Sequence, residues 1–301
     1  MNLQFIADGL VMGALIGLGA IGVTLTYSIL RFANFAHGEF LTWGTYLTLA
    51  LSGGIGALVG GSGTIGALSF GWPVVAASIV AALLTGLLAL VLDRILFAKL
   101  RAHGNAIVMV MASFGASMAL RSLLEFLFTA EPHYFSRDIQ IAVPVVFGIR
   151  LTADQLFLLA LTAVLVVAME RFMTLSPIGR AMRAVSENPV LAKVSGVDVE
   201  RVIRATWMLG AALACAAGVM LGLTVQVRPF MGFDMLLPLF AAAILGGIGS
   251  VPGAVIGGLI VGLAEAAAVQ VVGADYRAAI AFLILIAVLL VKPAGLFGMR
   301  D

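Results

Sequence analysis

A single cysteine, Cys215, in 301 residues excludes an intrachain disulfide and any metal site built on cysteine ligands. Set in an apolar run, it reads as a small buried hydrophobe. Charge is equally scarce. Charged residues make up 11% of the chain and hydrophobic ones 62%, with a mean hydropathy of +1.15, whereas soluble domains run about 25% charged and about 45–50% apolar. The composition is that of a polytopic membrane protein. A net charge of +2 is too small to point to a nucleic-acid partner. No Gly-Lys dipeptide occurs, so there is no phosphate loop for a nucleotide, and His37, His103 and His133 fall in no H-E-x-x-H arrangement. No catalytic constellation and no metal site emerges, so any energy from nucleotide hydrolysis must come from another chain. His103 and His133 read as solvated loop residues. The first ten residues, MNLQFIADGL, lack the basic region that precedes a signal peptide's apolar core, and the first hydrophobic segment is expected to stay as a span.

Against these absences stand 35 glycines, which suit membrane helices because small residues let backbones approach. A span needs about 20 mostly apolar residues. Segments 5–30, 39–58, 72–97, 105–128, 152–169 and 202–225 are candidates, and a last span is expected at about 278–291. Segment 235–272 is too long for one span and is interrupted by LGGIGSVPGA, with Gly246, Gly247, Gly249, Ser250, Pro252 and Gly253. The expected fold is an all-α polytopic membrane protein, residues 1–301 forming one domain, with about eight spans plus a broken or re-entrant helical hairpin. Residues 170–204 form the one long polar loop.

Short cytoplasmic loops carry an excess of lysine and arginine. Placing 170–204 in the cytoplasm and alternating outward puts Arg31, Arg94, Lys99, Arg101, Arg171, Arg180, Arg183, Lys193, Arg201, Arg204, Lys292 and Arg300 inside. Only Arg137, Arg150, Arg228 and Arg277 fall outside, and Arg121 lies within a span. That bias sets the N-terminus outside and the C-terminus inside. The broken region then enters and leaves from outside, its turn reaching deep into the bilayer, where irregular backbone is tolerated only if protein buries it or water lines it.

Gly9, Gly13 and Gly17 recur every fourth residue, giving the first span a smooth face for close packing, while Asp8 reads as a solvated cap. The stretch RFANFAHGEF, residues 31–40, admits two readings. It is a polar cytoplasmic turn whose Glu39 suits a helix N-terminus, or a broken segment bordering a translocation route. Phe32, Phe35 and Phe40 favour the second, because polar groups held among aromatics must be paired or line a cavity. Asn34, Phe35, His37 and Glu39, with the break at 246–253 and Glu265, are the candidate pathway residues. The two breaks are expected to lie near one another. Arg121 and Glu125, four apart, are expected to pair locally. Within 170–204, two helical stretches read from caps and prolines: 178–186 after Pro177, and Pro189–Val194 with Asn188 as cap and Gly196 as terminator. They form a surface connector or a docking knob for a cytoplasmic partner.

Four stretches in order, YSILRFANFAHGEFLTWGTY, GRAMRAVSENPVLAKVSGVDVERV, AAAILGGIGSVPGAVIGGLIVGLAE and LLVKPAGLFG, closely resemble the LivH-type permeases of bacterial branched-chain amino acid ABC importers. The resemblance implies an inner-membrane permease working by alternating access. Its partners would be a LivM-type permease, forming a heterodimer, two LivG/LivF-type ATPases that consume ATP and Mg²⁺, and a periplasmic binding protein. It also implies that residues 179–196 are the segment seated in an ATPase groove, carried by Arg180, Arg183, Ala184, Glu187, Asn188, Ala192 and Gly196. The glycine-rich stretch 52–72 departs from commoner members and is expected to be flexible. Urea and short-chain amide importers use similar permeases and remain an alternative within the class. A self-sufficient secondary transporter or channel is the alternative outside it, and a purely structural scaffold would explain neither the break nor the loop.

Overall fold

The computed structural model describes residues 3–59, 63–102, 104–136, 140–146, 148–292 and 294–297. The chain runs α1 (Gln4–Leu30), α2 (His37–Val59), α3 (Trp72–Leu92), a π-helical turn (Asp93–Phe97) leading into α4 (Ala98–Arg101), α5 (Ala106–Phe128), β1 (Val143–Val146) and β2 (Ile149–Leu151). It continues through α6 (Ala153–Leu175), α7 (Pro177–Glu187), α8 (Pro189–Val194), α9 (Val199–Thr224), α10 (Met231–Gly246), α11 (Val251–Val271), a 3-10 turn (Ala274–Tyr276) and α12 (Arg277–Val291).

Local chemistry sets the helix boundaries. Asn105 accepts from Ile107 N to open α5, and Thr152 with Gln155 forms a reciprocal capping box for α6, each satisfying donors that a helix start leaves unpaired. Among the described residues six helices are long and apolar enough to cross a membrane: α1, α3 with its continuation to Arg101, α5, α6, α9 and α11. Helix α2 is 23 residues long but carries Thr42, Thr45 and Thr48, whose hydroxyls turn back to carbonyls of their own helix. Helices α10 and α12, of 16 and 15 residues, reach about 24 and 22 Å at 1.5 Å per residue, short of a core about 30 Å thick.

The spine of the bundle is α1 against α11. A Cβ on Gly13 would sit 2.8 Å from Leu259 Cα, and one on Gly9 2.9 Å from Leu263 Cα. Across the seam, Gly258 and Gly262 press on the backbones of Gly17 and Gly13. The four-residue glycine spacing thus does what the sequence implies, bringing two backbones together. Around this spine α9 and α10 pack on α1, and α2 and α3 pack on α9. The π-helical turn carries Phe97 into the core, stacked on Trp207 with ring centroids 5.2 Å apart and also touching Phe32.

The helical expectation holds, with one expectation corrected and some detail added. The fold is mostly helical, and Val143–Val146 pairs antiparallel with Ile149–Leu151. Gln4 fastens it to the start of α1 by donating to Arg150 O and accepting from Arg150 N. His133 is half-buried, not solvated: its backbone pairs with Val227, its Nε2 lies 3.1 Å from Phe128 O, and its ring meets Tyr46 edge-on. His103 lies outside the described residues. The stretch 52–72 is helical to Val59, and Ser69 is tied to Asp154 through both its N–H and its hydroxyl; residues 60–62 lie outside the described residues.

Candidate functional site

Residues 31–36 form the first break. Arg31 takes a left-handed conformation (φ 57°) and its N–H closes α1 on Tyr27 O. His37, which starts α2, lies against Gly22, eight residues before the end of α1. At 1.5 Å per residue, the non-helical segment therefore climbs about 12 Å back into the bundle. This is not a turn at the surface. The backbone is held there by Ser113, whose hydroxyl accepts from Phe35 N, and by the Asn34 side chain, which accepts from Ala36 N. The Phe35 ring sits between Phe114 and Phe240.

Glu39, fully buried, uses Oε1 to accept from Ser117 Oγ at 2.9 Å and from Arg121 Nη2 at 2.7 Å. Arg121 therefore reaches across to α2 rather than pairing with Glu125. Its guanidinium also lies over the rings of Phe230 and Phe233, 4.8 and 4.3 Å from their centroids, where a ring face attracts a cation. Gly38 and Gly232 touch backbone to backbone, and Gly232 N donates to Thr42 Oγ1. The starts of α2 and α10 thus converge on α5 well inside the bundle. Among the described residues Asn34 Nδ2, both ring nitrogens of His37 and Glu39 Oε2 are buried without a hydrogen-bond partner. Groups in that condition are costly unless water, solute or another subunit engages them.

The second break is the turn after Gly246. Gly247 and Gly249 have φ of 96° and 90°, a region only glycine enters at little cost. Ser250 caps α11 by accepting from Gly253 N, with Pro252 in its first turn. Gly246 and Gly253 are in backbone contact, which closes the α10–α11 hairpin. Gly249 N donates to Thr24 Oγ1 at 2.7 Å, pinning the turn to the last turns of α1. Leu296 N and Phe297 N donate to Leu245 O and Gly246 O, so the chain's end caps α10.

Arg31, at the start of the first break, and the turn of the second line one cavity of about 780 Å³, whose lining does not include Asn34, Phe35, His37 or Glu39. Its walls include Arg31, Gly249, Ser250, Pro252, Arg183 and Glu187. Here α7 enters: Arg31 Nη2 donates to Ser186 O at 3.2 Å and to Glu187 O at 3.3 Å. A cation on the last carbonyls of a helix also complements its dipole. Arg31 and the second break thus meet at one cavity. Glu265 stands apart, near the C-terminal end of α11, and lines a different cavity.

The helix pair at 176–198 forms as its caps dictate. Ser176 accepts from Gly179 N, Asn188 accepts from Val190 N and Leu191 N, and Gly196 ends the motif at φ 88°. Met182 and Val185 anchor α7 in the core. Arg180, Arg183, Ala184, Glu187, Asn188 and Gly196 are exposed, whereas Ala192 is buried beneath α8, where its small side chain serves internal packing. The sequence reading passed over the apolar face beside them: Val190, Leu191 and Val194 are 72%, 63% and 81% exposed. Arg31, Ser117, Arg121, Phe230 and Phe233 were also missed as site residues; the usable signal was the presence of a base, Arg121, inside a span. Among the described residues no three His, Cys, Asp or Glu side chains are grouped as a metal would require.

Residues 5–289 match the family described as branched-chain amino acid transport system / permease component. Over 302 residues the chain is 33% identical to the high-affinity branched-chain amino acid transport system permease protein LivH of Escherichia coli, covering 98% of this chain and 95% of that one. It is 32% identical to the corresponding BraD of Pseudomonas aeruginosa, with the same coverage. To the probable LivH of Methanocaldococcus jannaschii it is 28% identical, over 98% and 92% of the two chains. Among solved structures, PsaBC from Streptococcus pneumoniae in complex with Fab aligns with a TM-score of 0.52 at 14% identity, covering 98% of this chain and 96% of that one. That likeness is one of fold.

Proposed function

The chain belongs to the family of branched-chain amino acid transport system permease components, and on that premise we propose that it is the inner-membrane permease of an ABC importer for branched-chain amino acids. Its partners are a related LivM-type permease in a heterodimer, two LivG/LivF-type ATPases that hydrolyse ATP with Mg²⁺, and a periplasmic binding protein that selects the solute. Helices α1, α2, α3, α5, α6, α9 and α12 then cross the bilayer alternately, and the α10–α11 hairpin enters and leaves from the outer side as the broken element. The N-terminus is periplasmic and the C-terminus cytoplasmic, which puts the arginine-rich end with α7 and α8 in the cytoplasm.

The observation that carries this reading is that Arg31, at the start of the first break, is bonded to the end of α7 and lines one cavity with the turn at 247–250. Residues 170–204 act as the coupling loop, with the exposed apolar face of α8 and the charged rim of Arg180, Arg183 and Glu187 seated in an ATPase groove. Closure of the ATPases moves α7. Arg31 passes that movement to residues 31–36 and to the turn at 247–250, opening the route toward the cytoplasm. Aromatic rings at Phe35, Phe240, Phe230 and Phe233 offer apolar surface to a branched side chain, and the open hydrogen-bonding groups of Asn34, His37 and Glu39 engage its polar end.

Reconstitution with the partner subunits tests this. Leucine uptake should require ATP and the binding protein, and urea should not compete. Leu191→Glu with Val194→Glu should strip the ATPases from the purified complex while the permease itself remains folded. Uptake of leucine by the chain alone, or preference for urea or a short amide, would replace this reading with a secondary transporter or an amide permease.

A further inference from the structure

Near the end of the bundle opposite α7, α1, α11 and the start of α12 enclose a cavity of about 210 Å³ lined by Phe5, Asp8, Glu265, Gln270 and Arg277, among others. Glu265 is 1% exposed, and neither carboxylate oxygen has a hydrogen-bond partner among the described residues. Arg277 is close enough to act on it electrostatically, yet the two make no ion pair within 4.0 Å. A buried carboxylate left open on both oxygens, beside a second carboxylate and a guanidinium, needs an occupant.

We propose that this cavity binds a small zwitterion that carries a primary ammonium next to an anionic oxyacid, and that the occupant is the headgroup of an ethanolamine phospholipid. The ammonium has three N–H donors to place on Glu265 and Asp8, and the phosphate lies against Arg277, whose planar donors suit it. A choline headgroup has no N–H to donate, and a glycerol headgroup has no cation for Glu265.

Position selects the lipid over a free amino acid. Helix α1 has 27 residues, about 40 Å against a hydrocarbon core of about 30 Å, so Asp8, one turn from its start, lies at headgroup level. Tyr276, 56% exposed beside Arg277, fits the aromatic belt of that layer. Phe282, Leu283, Ile286 and Leu290 on the outward face of α12 are exposed, apolar surface that suits acyl chains beside this helix. The proposal needs only the membrane setting and does not depend on which solute the permease carries.

The test uses the purified full-length permease with its partner subunits, stripped of lipid, then supplied with dioleoyl phosphatidylethanolamine, the choline or glycerol analogue, or leucine. Native mass spectrometry should show retained ethanolamine lipid, and the unfolding midpoint should rise by several degrees more than with the analogues, since a ligand that binds only the folded state stabilises it. Glu265→Gln should erase that difference without lowering the lipid-free midpoint. Asp8→Asn and Arg277→Gln, at exposed positions, should weaken it and give a reading even if the buried variant misfolds. Equal protection by the choline lipid, greater protection by the glycerol lipid, or displacement of the ethanolamine lipid by leucine would each overturn the proposal.

Discussion

Leucine at Gly258 or Gly262 should leave no folded permease. A side chain at either position runs into the backbone of Gly17 or Gly13, and backbone cannot swing aside as a flexible side chain would. The two helices would have to separate along their whole seam, and no other helix pair in the bundle packs so extensively. Forcing even one extra methylene into a packed core costs about 1–3 kcal/mol, and a leucine adds several groups. The expected loss exceeds about 4 kcal/mol, a large part of an ordinary stability of about 5–15 kcal/mol. Size-exclusion chromatography of detergent extracts should show the folded peak replaced by aggregate. Gly53→Leu, where an added Cβ meets nothing within 4 Å, should elute like the wild type. A Gly258→Leu protein with a normal peak and midpoint would mean the seam does not hold the bundle.

Arg121→Met should be nearly as damaging, through charge rather than volume. Glu39 accepts from Arg121 and Ser117, and without the arginine it would be an unpaired carboxylate in the core. Breaking a buried pair from one side costs about 3–5 kcal/mol, while replacing both partners with apolar groups is often neutral. Arg121→Met with Glu39→Leu should therefore recover most of the lost stability but not transport, because both polar contacts beside the proposed route are gone. Thermal unfolding of the single and double variants reads the coupling directly. If the single variant unfolds at the wild-type temperature, the pair is not structural.

The sequence exposed what depends on near neighbours. Runs of apolar residues marked the long helices, and Ser176, Asn188, the two prolines and Gly196 marked α7 and α8, because capping is chemistry within four residues. Depth along the membrane was hidden. Hydropathy describes composition, so residues 31–36 read as the end of a hairpin although they climb beside α1 to reach Gly22. Arg121 was misjudged because the rule for residues four apart favours Glu125, whereas the true partner, Glu39, lies 82 positions away. The strand pair Val143–Val146 and Ile149–Leu151 has too few alternating residues to stand out. The contact of Arg31 with α7 has no trace in either segment, since it uses backbone carbonyls, which every residue carries.

That contact is where the proposed transport cycle is most exposed to test. In proteoliposomes holding the complete importer, leucine uptake and ATP hydrolysis should be measured together for the wild type and for Arg31→Gln. Hydrogen bonds from a charged donor contribute about 1.5–3 kcal/mol, so uptake per ATP should fall roughly tenfold or more. The ATPases should remain bound, and hydrolysis should continue. Unchanged uptake per ATP in the variant would contradict transmission through Arg31 from α7 to the breaks.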